Sequence, residues 1–261
     1  MKNVIVPLNA FDSVEVIKNG QESFVKLIAE SGAFGIEIRR ELLPKPVHER
    51  QLELIRDEIG AYRLFTVYSA PIELWNENHQ LNKEELTEVF QEAIALDADW
   101  IKVSLGHYHQ EDSDIVKLNN FINQHQGFQL LVENDQTLYG GNVGRLKSFF
   151  ESADVLNVPV KMTFDTGNWY YTSQDAVEAL HQLAPYVIYL HLKNVEKKGD
   201  ELITVPLEKE GNHSWKTVIN HFPAEMVKAL EFPIVPKEKM NEYIRLISDI
   251  SREREVLLWR N

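Results

Sequence analysis

Short apolar runs alternate with longer segments of helical periodicity along the whole chain. The runs are rich in Val, Ile and Phe, and each is short enough for a buried strand. Eight such runs are visible: "NVIVPL", "GIEIR", "LFTVYS", "WIKVSL", "FQLLVEN", "VKMTFD", "VIYLHLK" and "KALEFPI". This alternation is typical of repeated βα units that build a parallel sheet.

The segments between the runs carry apolar residues at helical spacing. They include "GQESFVKLIAESGA", "VHERQLELIRDEIG", "NKEELTEVFQEAIALDA", "NVGRLKSFFESADVL" and "SQDAVEALHQLA", and the chain closes with "PKEKMNEYIRLISDISRE". Asn82 and Ser173 precede acidic first turns and are therefore predicted as helix N-caps.

Eight strand–helix units in 261 residues predict a single closed (β/α)₈ TIM barrel that occupies residues 1–261. An open doubly wound sheet is the alternative. The chain has no G-x-G-x-x-G or Walker-type loop, which favours the barrel. No Pro/Ser-rich linker divides the sequence into two domains.

Composition and charge narrow the classes of function. The formal net charge of −13 disfavours binding to the nucleic-acid backbone, whereas small polar substrates remain open. No apolar run approaches the roughly 20 residues of a membrane span, and the first residues lack the pattern of a signal peptide, so a cytoplasmic protein is expected. The absence of cysteine means that any metal must be held by His, Asp and Glu.

Four consecutive strands of the second half end in, or close to, an ionisable residue. These residues are Glu133, Asp165, His191 and Glu231. In a barrel the carboxyl ends of the strands form the active-site face, so the four side chains are expected to converge. Three carboxylates at one point repel unless a cation lies between them, and this donor set suits one divalent ion such as Mn²⁺, Co²⁺, Mg²⁺ or Zn²⁺. A helix cap or a salt bridge is the commoner role for any one such residue, but four on adjacent strands favour the metal site.

At these residues the sequence resembles the xylose isomerase-like barrel superfamily. The resemblance is to its branch of sugar phosphate isomerases and epimerases, which shares a fold with the type IV endonucleases (AP endonuclease family 2). It rests on "GIEIRRE", "LVENDQT", "FDTGNW", "YLHLKN", "GNHSW" and "ALEFP", and it runs from about residue 4 to 250.

The resemblance implies that Glu133, Asp165, His191 and Glu231 are the metal ligands and that the two glutamates form the acid–base pair. The reaction would be isomerisation or epimerisation of a carbohydrate, a sugar phosphate or a keto acid, through a metal-stabilised enediolate. Several ketose epimerases have a substrate-binding His where this chain has Asn168. Homo-oligomers are common in the family, so a homo-oligomer is left open.

Further residues are predicted to hold the substrate. Lys193 would steady an oxyanion or a carboxylate, although a salt bridge is an equal interpretation. Asn168 and Trp169 would supply a hydrogen bond and an apolar wall. The other candidates at the mouth of the barrel are His107, His109, Arg39, Glu73 and His213. The segment "IEIRRELL" resembles epimerase-like proteins associated with 2-ketogluconate use, and Lys193 and Arg39 would then meet a sugar-acid carboxylate.

Two other activities fit the same residues. A metal-dependent dehydratase of a sugar-like or cyclic polyol substrate would use identical ligands. A metal-dependent endonuclease or phosphoesterase is disfavoured, because the relatives of that type need additional His ligands and because the chain is acidic. A barrel that keeps a metal only for structure is a third possibility, weakened by the presence of both glutamates.

Overall fold

The protein is described by a computed structural model that covers residues 3–125, 127–211 and 213–258. Eight parallel strands close into a barrel: β1 (Val4–Pro7), β2 (Gly35–Arg39), β3 (Phe65–Trp75), β4 (Trp100–Gly106), β5 (Gln129–Glu133), β6 (Val160–Asp165), β7 (Val187–Leu192) and β10 (Val227–Leu230). Their order around the barrel is β1, β10, β7, β6, β5, β4, β3, β2. The predicted (β/α)₈ barrel is confirmed, and the open sheet is wrong.

Helices connect the barrel strands and cover the outside. They are α1 (Ser13–Asn19), α2 (Val25–Glu30), α3 (Glu49–Tyr62), α4 (Lys83–Leu96), α5 (Ile115–Gln124), α6 (Val143–Val155), α7 (Asn168–Tyr171), α8 (Ala176–Leu183), α9 (Ser214–His221) and α10 (Met240–Leu258). In α3 the buried residues Leu52, Ile55 and Ile59 recur at helical spacing, so one face packs on the barrel and the other stays polar.

The sequence pattern did not predict α5. This helix is only ten residues long and follows the polar stretch "GHYHQEDSD". It forms because the Asp114 side chain accepts from the backbone amides of Val116 and Lys117, while Leu118 and Phe121 are buried.

The two predicted N-caps have different outcomes. Asn82 is the N-cap residue of α4, as predicted, although its side chain bonds Glu85 and the carbonyl of Glu73 instead of a helix amide. At α8 the predicted N-cap Ser173 is wrong. Asp175 caps that helix instead, because its carboxylate reaches the first backbone amides.

A β-hairpin inserted after β7 was also missed. Its strands are β8 (Asn194–Lys198) and β9 (Glu201–Val205), which pair antiparallel outside the barrel. The turn "KKGDE" places Gly199 at φ +66°, a conformation that costs a glycine little. The hairpin begins two residues after the end of β7 and therefore lies beside the active-site face.

The barrel interior is apolar at its base and charged near the carboxyl ends of the strands. At the base, one fully buried apolar layer is formed by Ile5, Val67, Leu131, Tyr189 and Ala229. Such layers fill the interior of (β/α)₈ barrels. Above this layer the inward side chains are ionisable, and they begin the functional site.

Candidate metal centre and active site

Four predicted ligands converge at the carboxyl ends of β5, β6, β7 and β10. Each of Glu133, Asp165, His191 and Glu231 offers one atom to a cluster in which all the atoms lie within 4.8 Å of one another. His191 Nδ1 is central: it lies 3.0 Å from Glu133 Oε1, 3.1 Å from Glu231 Oε2 and 3.9 Å from Asp165 Oδ2. The side chains of Asp165 and His191 are fully buried.

Asp165 is oriented by the turn that follows it. Its Oδ1 atom accepts hydrogen bonds from the backbone amides of Gly167 and Asn168, both at 2.8 Å. Its own amide donates to the Asn134 side chain at 2.8 Å. One carboxylate oxygen is therefore held by the backbone, and Oδ2 faces the cluster.

Lys193 and Arg39 surround Glu231, the ligand that follows β10. The Lys193 ammonium lies 2.8 Å from Asp165 Oδ2 and 3.0 Å from Glu231 Oε2. The other oxygen of Glu231 accepts from Arg39 at 3.1 Å and from the Asn9 side chain at 3.2 Å. Both oxygens of Glu231 are thus engaged by donors of the protein.

Two charged residues of the site escaped sequence reasoning, namely Glu37 on β2 and Lys102 on β4. The Lys102 ammonium lies 2.8 Å from Glu133 Oε2 and 3.1 Å from Glu37 Oε1, and the side chains of Lys102 and Glu37 are buried. The sequence did contain an indication of both residues, because Glu37 interrupts the apolar strand "GIEIR" and Lys102 interrupts the apolar strand "WIKVSL". A charged residue inside a buried strand is costly unless it is paired, so each of these mid-strand charges implied a buried partner.

The two glutamates of the ligand set are ionised in this environment. Burial raises the pKa of Glu133, but the charges of Lys102 and His191 outweigh it and bring the pKa below its usual value. Burial likewise opposes ionisation of Glu231, yet Lys193 and His191 hold its pKa well below the usual range. Glu133 and Glu231 are therefore carboxylates at neutral pH.

Asp165 behaves differently from the two glutamates. Burial is the largest influence, and the neighbouring Glu231 and Glu133 charges add to it, so that Lys193 does not compensate and the pKa rises to about 7. Burial lowers the pKa of His191, but Glu37, Glu231 and Glu133 outweigh it and raise the pKa well above its usual value. In the absence of another cation the cluster retains protons to balance its charge.

The residues present fit a divalent cation. Three carboxylates and one imidazole are a mixed O/N set of the kind that Mn²⁺, Co²⁺, Mg²⁺ and Zn²⁺ accept. In addition, Glu133 Oε1 and Asp165 Oδ2 are buried without a hydrogen bond of acceptable geometry, although cationic nitrogens lie close to both. Buried carboxylate oxygens without hydrogen bonds are costly, and a bound cation would satisfy both.

A polar cavity of about 470 Å³ opens above the cluster. Its lining includes the charged residues of the site, namely Glu133, Glu231, Lys102, Lys193 and Arg39. Its walls carry neutral hydrogen-bonding side chains from several elements, including Asn9, Ser69, Ser104, Gln136, Asn168 and Thr204. Thr204 comes from the β8–β9 hairpin, which thus forms part of the wall. The volume is in the range of small-molecule sites, and the lining suits a ligand rich in hydroxyl groups.

In the part of the chain that the structure describes, one of the remaining predicted substrate-binding residues lines this cavity and the others do not. Asn168 lines it and accepts from Gln136 at 3.1 Å. Trp169 is fully buried and packs against Phe164, with ring centroids 5.4 Å apart. It is not among the described residues that line the cavity.

His107, Glu73, His109 and His213 are also outside the cavity lining. His107 contacts Glu73 at 2.9 Å, and His109 contacts Asp112 at 2.8 Å. His213 precedes α9 and lies 2.8 Å from the carbonyl of Glu210. The roles predicted for these residues stay predictions.

Comparisons with known proteins find similar folds among solved structures. No protein-family model matches the chain, and no curated protein matches it. Solved structures do. Endonuclease IV from Thermus thermophilus is 20% identical with a TM-score of 0.67, over 96% of this chain and 99% of that one. D-Psicose 3-epimerase from Clostridium cellulolyticum is 13% identical with a TM-score of 0.65, over 96% and 98%. The chain therefore shares the closed (β/α)₈ barrel fold of these two structures.

A third similar structure belongs to another class of enzyme. The probable 3-DHS dehydratase AsbF from Bacillus anthracis is 17% identical with a TM-score of 0.59, over 95% of this chain and 99% of that one. An epimerase, a dehydratase and an endonuclease thus share this fold, and these are the three kinds of activity that the sequence analysis weighed. Identities this low establish the fold and leave the reaction open.

Within the described part of the chain, no helix is both long and apolar enough to span a membrane.

Proposed function

We propose that the protein is a divalent-metal-dependent isomerase or epimerase of a sugar or sugar derivative, either a sugar phosphate or a keto acid. One observation carries the proposal: Glu133 and Glu231 approach His191 Nδ1 at 3.0 and 3.1 Å, and both line the same polar cavity. Two ionised carboxylates beside one substrate site suit the removal and return of a proton. A small carbohydrate is the proposed substrate.

The metal would be held by Glu133, Asp165, His191 and Glu231. One ion of Mn²⁺, Co²⁺, Mg²⁺ or Zn²⁺ is expected for each chain. When bound, such an ion supplies a Lewis acid that polarises a substrate carbonyl and stabilises the negative charge that develops on its oxygen.

The two glutamates differ in how their oxygens are engaged, and this assigns their roles. Glu133 Oε2 is paired with Lys102, whereas Oε1 makes no hydrogen bond. Both oxygens of Glu231 accept hydrogen bonds, from Arg39 and Asn9 on one side and from Lys193 on the other. Glu231, next to the Lys193 ammonium, is therefore placed to return a proton, and Glu133, whose Oε1 faces the proposed metal site, is assigned the opposite half of the acid–base pair.

The outcome depends on where the proton returns. Return to the neighbouring carbon gives aldose–ketose isomerisation, and return to the opposite face of the same carbon gives epimerisation. The polar side chains that line the cavity, among them Asn168, Gln136 and Asn9, would orient the remaining hydroxyls. Lys193, which lines the cavity, would neutralise charge on a substrate oxygen or carboxylate.

A dehydratase is the second candidate function, favoured by the similarity to the probable 3-DHS dehydratase. The proton abstraction would be the same, but a β-hydroxyl would then leave as water, with a cavity ammonium such as Lys193 as the proton donor. Endonuclease activity has weaker support, because the net charge of −13 repels a nucleic-acid backbone. Among the described residues, the one His/Asp/Glu cluster of metal-binding geometry contains a single histidine.

Proton exchange in D₂O tests the proposal directly. The protein is freed of metal with a chelator, loaded with Mn²⁺ or Co²⁺, and incubated with neutral ketoses, 2-keto sugar acids and sugar phosphates. Incorporation of deuterium beside the carbonyl, with formation of an isomer or epimer, is the expected result for at least one class. Exchange of neutral ketoses, with neither binding nor exchange of 2-keto sugar acids, would exclude the keto-acid class.

Two variants control this experiment. Glu133→Gln should abolish exchange, because the amide cannot accept the proton. Glu92→Gln should leave exchange unchanged, since Glu92 on α4 pairs with Arg40 at 2.7 Å and lies outside the ligand cluster and the cavity lining. Loss of water from a substrate would favour the dehydratase, whereas cleavage of abasic DNA without any proton exchange would contradict the isomerase.

A further inference from the structure

The carboxylate of Glu37 is buried directly beneath the proposed metal ligands. Its Oε2 atom accepts from the Tyr189 hydroxyl at 2.8 Å and lies 2.9 Å from His191 Nε2. Its Oε1 atom accepts from Arg39 at 2.8 Å and lies 3.1 Å from the Lys102 ammonium. The side chain is 0% exposed. Both oxygens are saturated with donors, so Glu37 is not itself available to a metal.

These contacts fix the role of His191 Nε2. The Arg39 and Lys102 cations meet one oxygen of Glu37 and the Tyr189 hydroxyl meets the other, so the group is a carboxylate that can only accept hydrogen bonds. Nε2 must therefore carry the hydrogen that is donated to Glu37. Consequently Nδ1 is the nitrogen that is left for the cluster of metal ligands.

The same carboxylate acts on Glu133 through Lys102. The Lys102 ammonium lies between Glu37 Oε1 at 3.1 Å and Glu133 Oε2 at 2.8 Å. With Oε2 held by this ammonium, Glu133 presents Oε1, which is buried and free of hydrogen bonds. Glu37 on β2 thus contacts His191 on β7 directly, and it also contacts Lys102, the residue that orients Glu133 on β5.

We propose that Glu37 is a positioning residue of the metal centre: it holds His191 so that Nδ1 binds the metal, and through Lys102 it holds Glu133 so that Oε1 does. This inference rests on the same metal site as the proposed function, but it does not depend on the reaction. Ligating histidines commonly donate their second ring N–H to a carboxylate, and loss of that partner costs about 10- to 100-fold in metal affinity.

The first experiment is metal binding by Glu37→Gln. An amide replaces one carboxylate oxygen by an N–H₂ donor and removes the negative charge, so the contacts at that oxygen must break or reverse and the Lys102 and Arg39 cations lose their shared counter-charge. Co²⁺ is the probe, because its visible absorption reports the ligand geometry as well as the affinity. We expect affinity for Co²⁺ to fall by about 10- to 100-fold and the absorption bands to shift.

Glu92→Gln is the matched control. Glu92 also binds an arginine and a tyrosine hydroxyl, with Arg40 at 2.7 and 2.9 Å and Tyr68 at 2.7 Å, and its side chain is 14% exposed. It contacts no member of the ligand cluster among the described residues. This variant should lose folding stability yet bind Co²⁺ with native affinity and spectrum, which separates positioning of the ligands from general stability.

A second variant covers the case in which Glu37→Gln does not fold. Tyr189→Phe removes only the hydroxyl that donates to Glu37 and keeps the buried carboxylate. The loss of one hydrogen bond should lower affinity for Co²⁺ by about two- to fivefold, in the same direction. Native affinity and spectrum in the variants that fold would overturn the proposal.

The wild-type protein offers a test without substitution. Two-bond ¹⁵N–¹H correlations of the zinc-loaded protein distinguish Nδ1 from Nε2 coordination of the imidazole whose signals move on adding Zn²⁺. Coordination by Nδ1 is expected, and coordination by Nε2 would overturn the role of Glu37. If the wild type binds neither Co²⁺ nor Zn²⁺, both this inference and the proposed function fail. If the metal binds as expected but no carbohydrate exchanges protons, only the proposed function fails.

Discussion

The Lys193 ammonium lies 2.8 Å from Asp165 Oδ2, the oxygen that faces the ligand cluster. A divalent cation that binds Asp165 Oδ2 must therefore share this oxygen with the Lys193 ammonium or displace the ammonium from it. The two cations repel each other in a buried site, where charges are poorly screened. Lys193 is thus expected to limit metal affinity while it serves the substrate.

Replacement of Lys193 by Met should therefore strengthen metal binding and weaken turnover. Two unit charges 4 Å apart in a partly screened site repel each other by roughly 4 kcal/mol. Relief of only about a third of this repulsion raises a binding constant about tenfold, so the affinity for Mn²⁺ should rise by about tenfold or more. Calorimetric titration measures the affinity, and steady-state kinetics on the substrate found by proton exchange measure kcat.

Lys193→Arg controls for the loss of positive charge. It should keep metal affinity close to that of the wild type, whereas kcat should fall because the guanidinium fork does not match the ammonium position. Weaker metal binding in Lys193→Met than in Lys193→Arg would mean that the ammonium supports the ligands instead of competing with the metal.

Metal affinity should rise with pH through neutrality. Burial and the nearby glutamates raise the pKa of Asp165 to about 7, and the surrounding carboxylates raise the pKa of His191 well above its usual value. Both groups must lose a proton before they bind a metal, so protons are released on binding below these pKa values. Affinity should climb by about tenfold per pH unit for each proton released.

Calorimetry in two buffers that differ in their enthalpy of ionisation counts these protons. At pH 6 the expected count is between one and two, and above pH 7 the contribution of Asp165 should disappear. A count near zero at pH 6 would show that Asp165 and His191 are already deprotonated, which would contradict their raised pKa values.

Much of this architecture was legible in the sequence because it follows from periodicity. Strands buried on both faces read as apolar runs, and the ligands come where such runs end. Glu133 and Asp165 could be found in this way, since each closes an apolar run. Glu37 and Lys102 could not be found by the same rule, because they interrupt strands instead of ending them.

The hairpin and α5 were missed for a different physical reason. The hairpin is largely exposed and depends on the Gly199 turn. In contrast, α5 is a short helix of ten residues whose buried face, behind the Asp114 cap, consists only of Ile115, Leu118, Phe121 and Ile122. The pairing of Lys102 with Glu133 and of Lys193 with Glu231 also required coordinates. Side chains that are distant in sequence meet only once the barrel closes.

Asp165→Asn should remove the metal. The amide can still accept the two backbone hydrogen bonds through its oxygen, but an N–H₂ group then replaces the Oδ2 that faces the cluster. A ligand that binds only the folded state at 100 times its Kd adds about 2.7 kcal/mol of stability, which for a domain of this size raises Tm by about 5 to 10 °C.

Differential scanning calorimetry with and without Co²⁺, together with elemental analysis, checks this expectation. The wild type should hold about one divalent ion per chain and show the rise in Tm, and Asp165→Asn should show neither. An equal rise in Tm for both proteins would place the metal elsewhere. Two or three zinc ions per chain would instead support the endonuclease alternative.

Gly167 lies against the Lys193 side chain. A Gly167→Ala substitution should therefore disturb the site by displacing Lys193. A Cβ at residue 167 would lie 2.5 Å from Lys193 Cγ and 2.9 Å from Val195 Cγ2. Lys193 is buried and its ammonium is paired with Asp165 and Glu231, so Gly167→Ala should displace that ammonium from the two carboxylates. Overpacking of this kind costs about 1–3 kcal/mol of stability, and kcat should fall as it does in Lys193→Met.

Gly60→Ala in α3 is the control for the added methyl group. A Cβ at residue 60 has nothing within 4 Å, so the substitution should stabilise the protein by about 0.5–1 kcal/mol through helix propensity and leave kcat unchanged. Urea unfolding measures both stabilities. If Gly167→Ala lost stability but kept native kcat, the position of the Lys193 ammonium would not matter for turnover, and the role assigned to it here would be wrong.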